Sequence, residues 1–236
     1  MLQRKRQVKK RNHSEVKPAR ERIVGIIKIL RKTYLRGRTA LYYKTPLEIL
    51  IATILSAQCT DKRVNQITPR LFKKYRTSYD FSKARQADLE KEIRSTGFYR
   101  NKAKNIIGAA KRIVEDFGGR VPDTMEGLIS LPGVARKTAN IVLSSGFKKA
   151  EGIAVDTHVK RLSARLGLSR ENNPEKIEKD LLKIVPKKDW LDFNYILVGH
   201  GRSICNARKP LCNECPIAKL CPCSRLSLEQ AGVSKA

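Results

Sequence analysis

Apolar residues spaced three and four apart run through this chain, and that periodicity restricts it to helices packed against helices. Ala103, Ile106, Ile107, Ala110, Ile113, Val114 and Phe117 form one stripe, and Gly118-Gly119 predicts the end of its helix. Thr45-Pro46-Leu47-Glu48 offers an N-cap, a proline suited to the first helical position and a capping-box glutamate ahead of Ile49-Leu50-Ile51. The spacing from Asp123 to Glu126 repeats that start signal. Asn173-Pro174 predicts another helix with Ile177, Leu181 and Ile184 on its apolar face, and Trp190, Phe193, Ile196 and Leu197 mark a further one. No segment alternates with the period of a strand. The expected class is all-α.

Charge narrows the partners. Across 236 residues, 50 Lys and Arg face 22 Asp and Glu, a formal net charge of +28. Residues 1–22 hold nine Lys or Arg against two Glu and read as a solvated basic extension, but most of the excess lies beyond them. The body of the protein therefore carries a basic surface suited to a polyanion, with nucleic acid the first choice. The longest apolar stretch, 49–57, is too short to cross a bilayer, which excludes an integral membrane protein. Arg4-Lys5-Arg6 leads into more basic residues with no apolar segment behind it, so no secretory signal is expected. The final dozen residues read as a mobile tail.

Five of the six cysteines crowd near the C-terminus, and four of them, Cys205, Cys212, Cys215 and Cys221, have the spacing C-x6-C-x2-C-x5-C. Crowding of this kind, without a signal sequence, argues for a reducing intracellular setting and a metal centre instead of disulfides. Four thiolates suit tetrahedral zinc or a four-iron cluster equally, and spacing does not choose between them. Cys223 is a spare thiol or a competitor for the position of Cys221. Cys59 reads as a small buried residue at a helix end.

Other segments carry local chemistry. Leu131-Pro132-Gly133-Val134 reads as a tight turn feeding a helix, whose free N–H groups and dipole suit a phosphate. Asp156 precedes an apolar-periodic helix through Val159, Leu162 and Leu166, so it reads as an N-cap worth about 1 kcal/mol. Taken alone, Gln58 reads as a buried amide, Phe98 as a core aromatic, and His158 and His200 as structural.

Three stretches together resemble the endonuclease III family of helix-hairpin-helix DNA glycosylases: Leu55-Ser56-Ala57-Gln58-Cys59-Thr60-Asp61, Leu131-Pro132-Gly133-Val134-Ala135-Arg136-Lys137-Thr138-Ala139-Asn140, and Val155-Asp156-Thr157-His158-Val159. The resemblance runs in order from about residue 23 to Cys221. It implies a [4Fe-4S] cluster on Cys205, Cys212, Cys215 and Cys221. It also implies two helical domains flanking a cleft: a six-helix barrel with the helix-hairpin-helix over 39–150, and a cluster domain made of 23–38 with 151–236.

By the same likeness Lys137 is the nucleophile, forming a Schiff base with the sugar of a damaged nucleotide, and Asp156 supports positive charge on that sugar and helps move protons. Gln58 fills the space left by the extruded base, and Phe98 stands where the family often has a leucine wedge. Leu131, Gly133, Ala135 and Arg136 in the hairpin, with Arg208 and Lys209 between cluster cysteines, are the implied DNA contacts. Ala135 departs from the usual glycine, which would cost about 1 kcal/mol if the position needs a positive φ.

The implied activity is a bifunctional glycosylase and abasic-site lyase of base excision repair. It would act as a monomer on oxidised pyrimidines in double-stranded DNA, in the cytoplasm or nucleoid, or in the nucleus of a eukaryote. Two alternatives stand beside it. Monofunctional relatives directed at mismatches lack lysine at the matching position, and a non-catalytic, metal-stapled DNA-binding protein would use Lys137 as a phosphate contact.

Overall fold

A computed structural model describes residues 17–34 and 39–224. Most of the basic extension and the last dozen residues lie outside the described residues. Eleven α-helices follow in order: α1 Ala19–Tyr34, α2 Pro46–Leu55, α3 Asp61–Lys74, α4 Ser78–Ser82, α5 Gln86–Ile93, α6 Tyr99–Phe117, α7 Met125–Ile129, α8 Arg136–Gly146, α9 Thr157–Arg165, α10 Pro174–Ile184 and α11 Trp190–Ser203. No strand occurs among the described residues, and none of their helices is long and apolar enough to cross a membrane.

The helix starts follow their side-chain caps. Thr45 accepts from the Glu48 N–H at 3.2 Å, Asn173 from the N–H groups of Glu175 and Lys176, and Asp156 from those of His158 and Val159. Gly118 and Gly119, both at positive φ, end α6, with the Gly119 N–H donating to Ile113 O at 2.9 Å. One start signal is displaced. The cap of α7 is Thr124, whose hydroxyl accepts from the Gly127 N–H, and not Asp123, whose carboxylate goes to Lys149 instead.

Two apolar cores form. Leu41 to Leu143 supply the first, with Phe81, Leu50, Ile106 and Leu128 at its centre. The second joins Ile23, Ile26 and Leu30 of α1 to Ile153, Leu162, Leu181, Phe193 and Ile217. The chain thus leaves the second core after α1, builds the first, and returns.

The start of α1 corrects the boundary of the basic extension. Residues from Ala19 are helical, and Arg22 is buried, donating to Leu166 O at 2.9 Å and Leu220 O at 2.7 Å. Its guanidinium satisfies carbonyls at the ends of remote segments, a structural use of charge that composition cannot separate from solvated arginine.

Candidate active site

A cleft of about 480 Å³ opens between the cores, within the usual range for sites that take a small ligand. Ser56, Cys59, Asp61, Lys137 and Ile141 line it from the first core, and Asp156, His158, Asn194, Tyr195 and Arg202 from the second. Side chains cross the gap: Arg202 pairs with Asp61 at 3.2 Å, and the Tyr195 hydroxyl meets that of Ser145 at 2.7 Å.

Lys137 stands in the first turn of α8 and is exposed into this cleft. The turn before it is anchored by Leu131 and Val134, 2% and 6% exposed, with the Val134 N–H donating to Leu131 O. Gly133 has φ +76°, and a Cβ there would lie 2.8 Å from Asn105, so glycine is required twice over. Ala135 has φ −90° and carries no left-handed strain, so the departure from glycine costs nothing in backbone energy. No side chain caps α8, which leaves its first N–H groups open beside exposed Gly133 and Ala135.

One of the expected hairpin contacts is corrected, and a second already has a protein partner. Leu131 is packed inside the first core and has no surface to offer DNA. Arg136 is committed to Glu178 of α10, Nε to Oε2 at 2.6 Å, and that bond holds the guanidinium pKa above its ordinary value.

Glu178, unremarked in the sequence, is the joint between the cores. It is 3% exposed, and its other oxygen accepts from Asn140 Nδ2 at 2.8 Å and from the Ile153 N–H at 3.1 Å. A Cβ at Gly152 would collide with the same carboxylate. Glu178→Ala would strip the partners from Asn140, Ile153 and Arg136 together. The expected loss is about 2–4 kcal/mol in urea unfolding, with Glu178→Gln losing less.

Asp156 caps α9 with Oδ1, which accepts from the N–H groups of His158 and Val159 at 2.9 and 2.8 Å. Oδ2 lies 3.3 Å from His158 Nδ1, and His158 also lines the cleft. No ion pair or hydrogen bond joins Lys137 to Asp156. The helix start and His158 hold the carboxylate, so it shares the cleft with the amine without being locked to it.

Gln58 and Phe98 are neither buried amide nor core aromatic. Both are exposed, Phe98 at 65%, and both sit in left-handed backbone, at φ +52° and +48°. Cys59 follows α2 by four residues and is half-buried at the cleft, outside the helix expected to hold it.

Cys205, Cys212, Cys215 and Cys221 surround an apolar hollow of about 100 Å³, with Cys223 also on its wall. Burial pushes the Cys221 thiol up to about 11 and raises that of Cys215, so thiolates there need an electropositive group to offset desolvation. Arg165 Nη1 reaches Cys205 Sγ at 3.2 Å, and buried His200 lies 3.5 Å from Cys215 Sγ, its pKa pushed down to about 4 by desolvation. Among the described residues no trio of His, Cys, Asp or Glu converges closely enough for a single metal ion. The thiols ring a space instead of a point. Arg208 and Lys209 are exposed on the loop between the first two of these cysteines.

Residues 51–187 match the HhH-GPD superfamily of base excision DNA repair proteins. An endonuclease III of Synechocystis sp. is 52% identical over 208 residues, spanning 88% of this chain and 95% of that one. The chain belongs to the endonuclease III family. Two solved structures share its fold with a TM-score of 0.82 and 41% identity, each covering 89% of this chain and 98% of theirs. One is a non-covalent endonuclease III–DNA complex, the other a trapped covalent intermediate of endonuclease III with DNA. As a member of the endonuclease III family this protein is a DNA glycosylase of base excision repair, and its all-α architecture is the family's.

Proposed function

We propose that the protein excises oxidised pyrimidines from duplex DNA through a covalent intermediate on Lys137 and then cuts the strand at the resulting abasic site. The observation that carries this reading is the approach of Lys137 and Asp156 to one cleft from two separate cores. A trapped covalent intermediate in a structural relative of 41% identity supports it.

The damaged nucleotide leaves the stack at a cost of a few kcal/mol, and Phe98 and Gln58 occupy the gap. The uncharged Lys137 amine attacks C1′ as the bond from C1′ to the base breaks, and the base departs with a proton. Sugar ring opening gives an iminium that acidifies the C2′ hydrogens. Loss of one of them expels the 3′ phosphate by β-elimination. Asp156 stabilises positive charge on the sugar and relays protons. The open N–H groups at the start of α8, with Gly133 and Ala135, hold a phosphate of the damaged strand, and Arg208 and Lys209 add contacts further along.

The thiols of Cys205, Cys212, Cys215 and Cys221 fit a [4Fe-4S] cluster by their all-sulfur donor set and the hollow they enclose. Bound there, the cluster supplies a cross-link that fixes the loop bearing Arg208 and Lys209.

A duplex with one oxidised pyrimidine and a labelled strand tests the proposal. The expected product is a strand cut 3′ to the lesion without alkali. Base release that leaves the strand intact until alkali is added would mark a monofunctional enzyme, and no release would refute the substrate class.

A further inference from the structure

Lys102 is only 4% exposed, yet it forms no ion pair with any carboxylate among the described residues. A buried, unpaired ammonium is expensive, and an aliphatic side chain would fill the same space at lower cost. Its Nζ instead donates two hydrogen bonds of 2.8 Å, to Leu55 O and to Thr96 O. Leu55 is the last residue of α2, and Thr96 the last of the 3-10 turn Arg94–Thr96. Carbonyls at the ends of such elements carry partial negative charge, which suits a cation.

Beyond each of these carbonyls the chain doubles back. Gln58 follows Leu55 by three residues and Phe98 follows Thr96 by two, and each is an exposed non-glycine residue with φ near +50°. Such backbone is strained for a residue with a side chain and survives only where the surroundings hold it. The Lys102 N–H also donates to Phe98 O at 3.1 Å, so one residue grips three points on the two loops.

We propose that Lys102 is a positioning residue that sets the spacing between the Gln58 and Phe98 loops, so that both enter the duplex as one preformed device. This rests on the insertion roles given to Gln58 and Phe98 above. Lys102 does not line the cleft and takes no part in the chemistry on the sugar. Its contribution is to fix the loops before DNA arrives, which lowers the ordering cost of binding.

Lys102→Met keeps the stem and removes both carbonyl bonds, and Lys102→Gln keeps two donors on a shorter arm. Two single-turnover reactions separate positioning from general support: excision from a lesion-bearing duplex, and borohydride trapping on single-stranded abasic DNA, which has no opposite strand to invade. Lys102→Met is expected to lose about tenfold or more in duplex excision while trapping stays within about twofold, with Lys102→Gln between wild type and Lys102→Met. Phe98→Ala added to either variant should cost far less than it costs in wild type, because the loop is already misplaced. Equal losses on both substrates, an unchanged duplex rate, or fully multiplicative double variants would overturn the proposal. If Lys102→Met does not fold, Lys102→Gln and its cycle with Phe98→Ala decide. Failure of the underlying functional reading is seen separately, as wild-type protein that traps no abasic DNA.

Discussion

Lys137→Ala is expected to abolish the covalent adduct that borohydride fixes between the protein and abasic DNA, and to slow strand cleavage by about 10⁴-fold or more. Among the described residues that line the cleft, Lys137 carries the one primary amine, the group that can add to C1′ and leave an imine. Lys102 is buried behind α2, and Arg136 is held by Glu178. The side chain itself is exposed at the start of α8, so its removal leaves both cores intact and the variant should fold and still bind duplex DNA. Asp156→Asn is the informative companion. Asparagine caps a helix as well as aspartate, so α9 and overall stability should be preserved. Activity should still fall by about 10²–10³-fold, because the charge facing the developing cation is gone. Unfolding midpoint and single-turnover rate, measured on the same preparations, separate the two roles of Asp156. An undiminished adduct from Lys137→Ala would defeat the assignment of the nucleophile.

The second large effect concerns the cysteine hollow. Wild-type protein purified without chelator should be yellow-brown and carry about four iron atoms per chain. Cys212→Ser should lose the colour and the iron, and its melting temperature should drop by about 10 °C or more, since a few kcal/mol shifts a chain of this size by that amount. Residues 205–224 contribute little to the apolar core apart from Ile217 and Ala218, so without the bound group they are held mainly by arginine hydrogen bonds from Arg22, Arg161 and Arg165 to their carbonyls. Half-buried Cys215 and Cys221 would then revert to thiols, the form their surroundings favour. Cys223→Ser serves as the contrast. Cys223 is exposed at the edge of the hollow, and its loss should leave colour and iron content unchanged. A colourless protein loaded with zinc would refute the cluster.

Local chemistry made much of this fold readable before any coordinates. Thr45, Asn173 and Asp156 announce helix starts because a capping side chain acts within three residues of itself, and Gly118-Gly119 closes α6 for the same short-range reason. Asp123 misled because Thr124 beside it is an equally good cap, and a distant Lys149 claimed the carboxylate. Gln58 and Phe98 lie beside apolar residues in the sequence, which favours a buried reading. The turns that bring them out depend on positive φ values that no periodicity reveals. Arg136 and Glu178 meet across 42 positions, and Lys102 reaches Leu55 across 47. Buried charge pairing over such separations leaves no mark on neighbouring residues. The cleft itself was placed only through family likeness, since Lys137 alone is one basic residue among fifty.

The divided origin of the second core carries a consequence for biosynthesis. As the polypeptide leaves the ribosome, α1 emerges early with Ile23, Ile26 and Leu30 ready for partners that are not yet translated. The first core can fold meanwhile from contiguous sequence, but Arg22 must wait for Leu166 and then Leu220, the latter 198 positions downstream, before its guanidinium is satisfied. Throughout that interval the apolar face of α1 has no partner. Commitment to the native state therefore comes late, when α1 is sewn to the segments around Leu166 and Leu220.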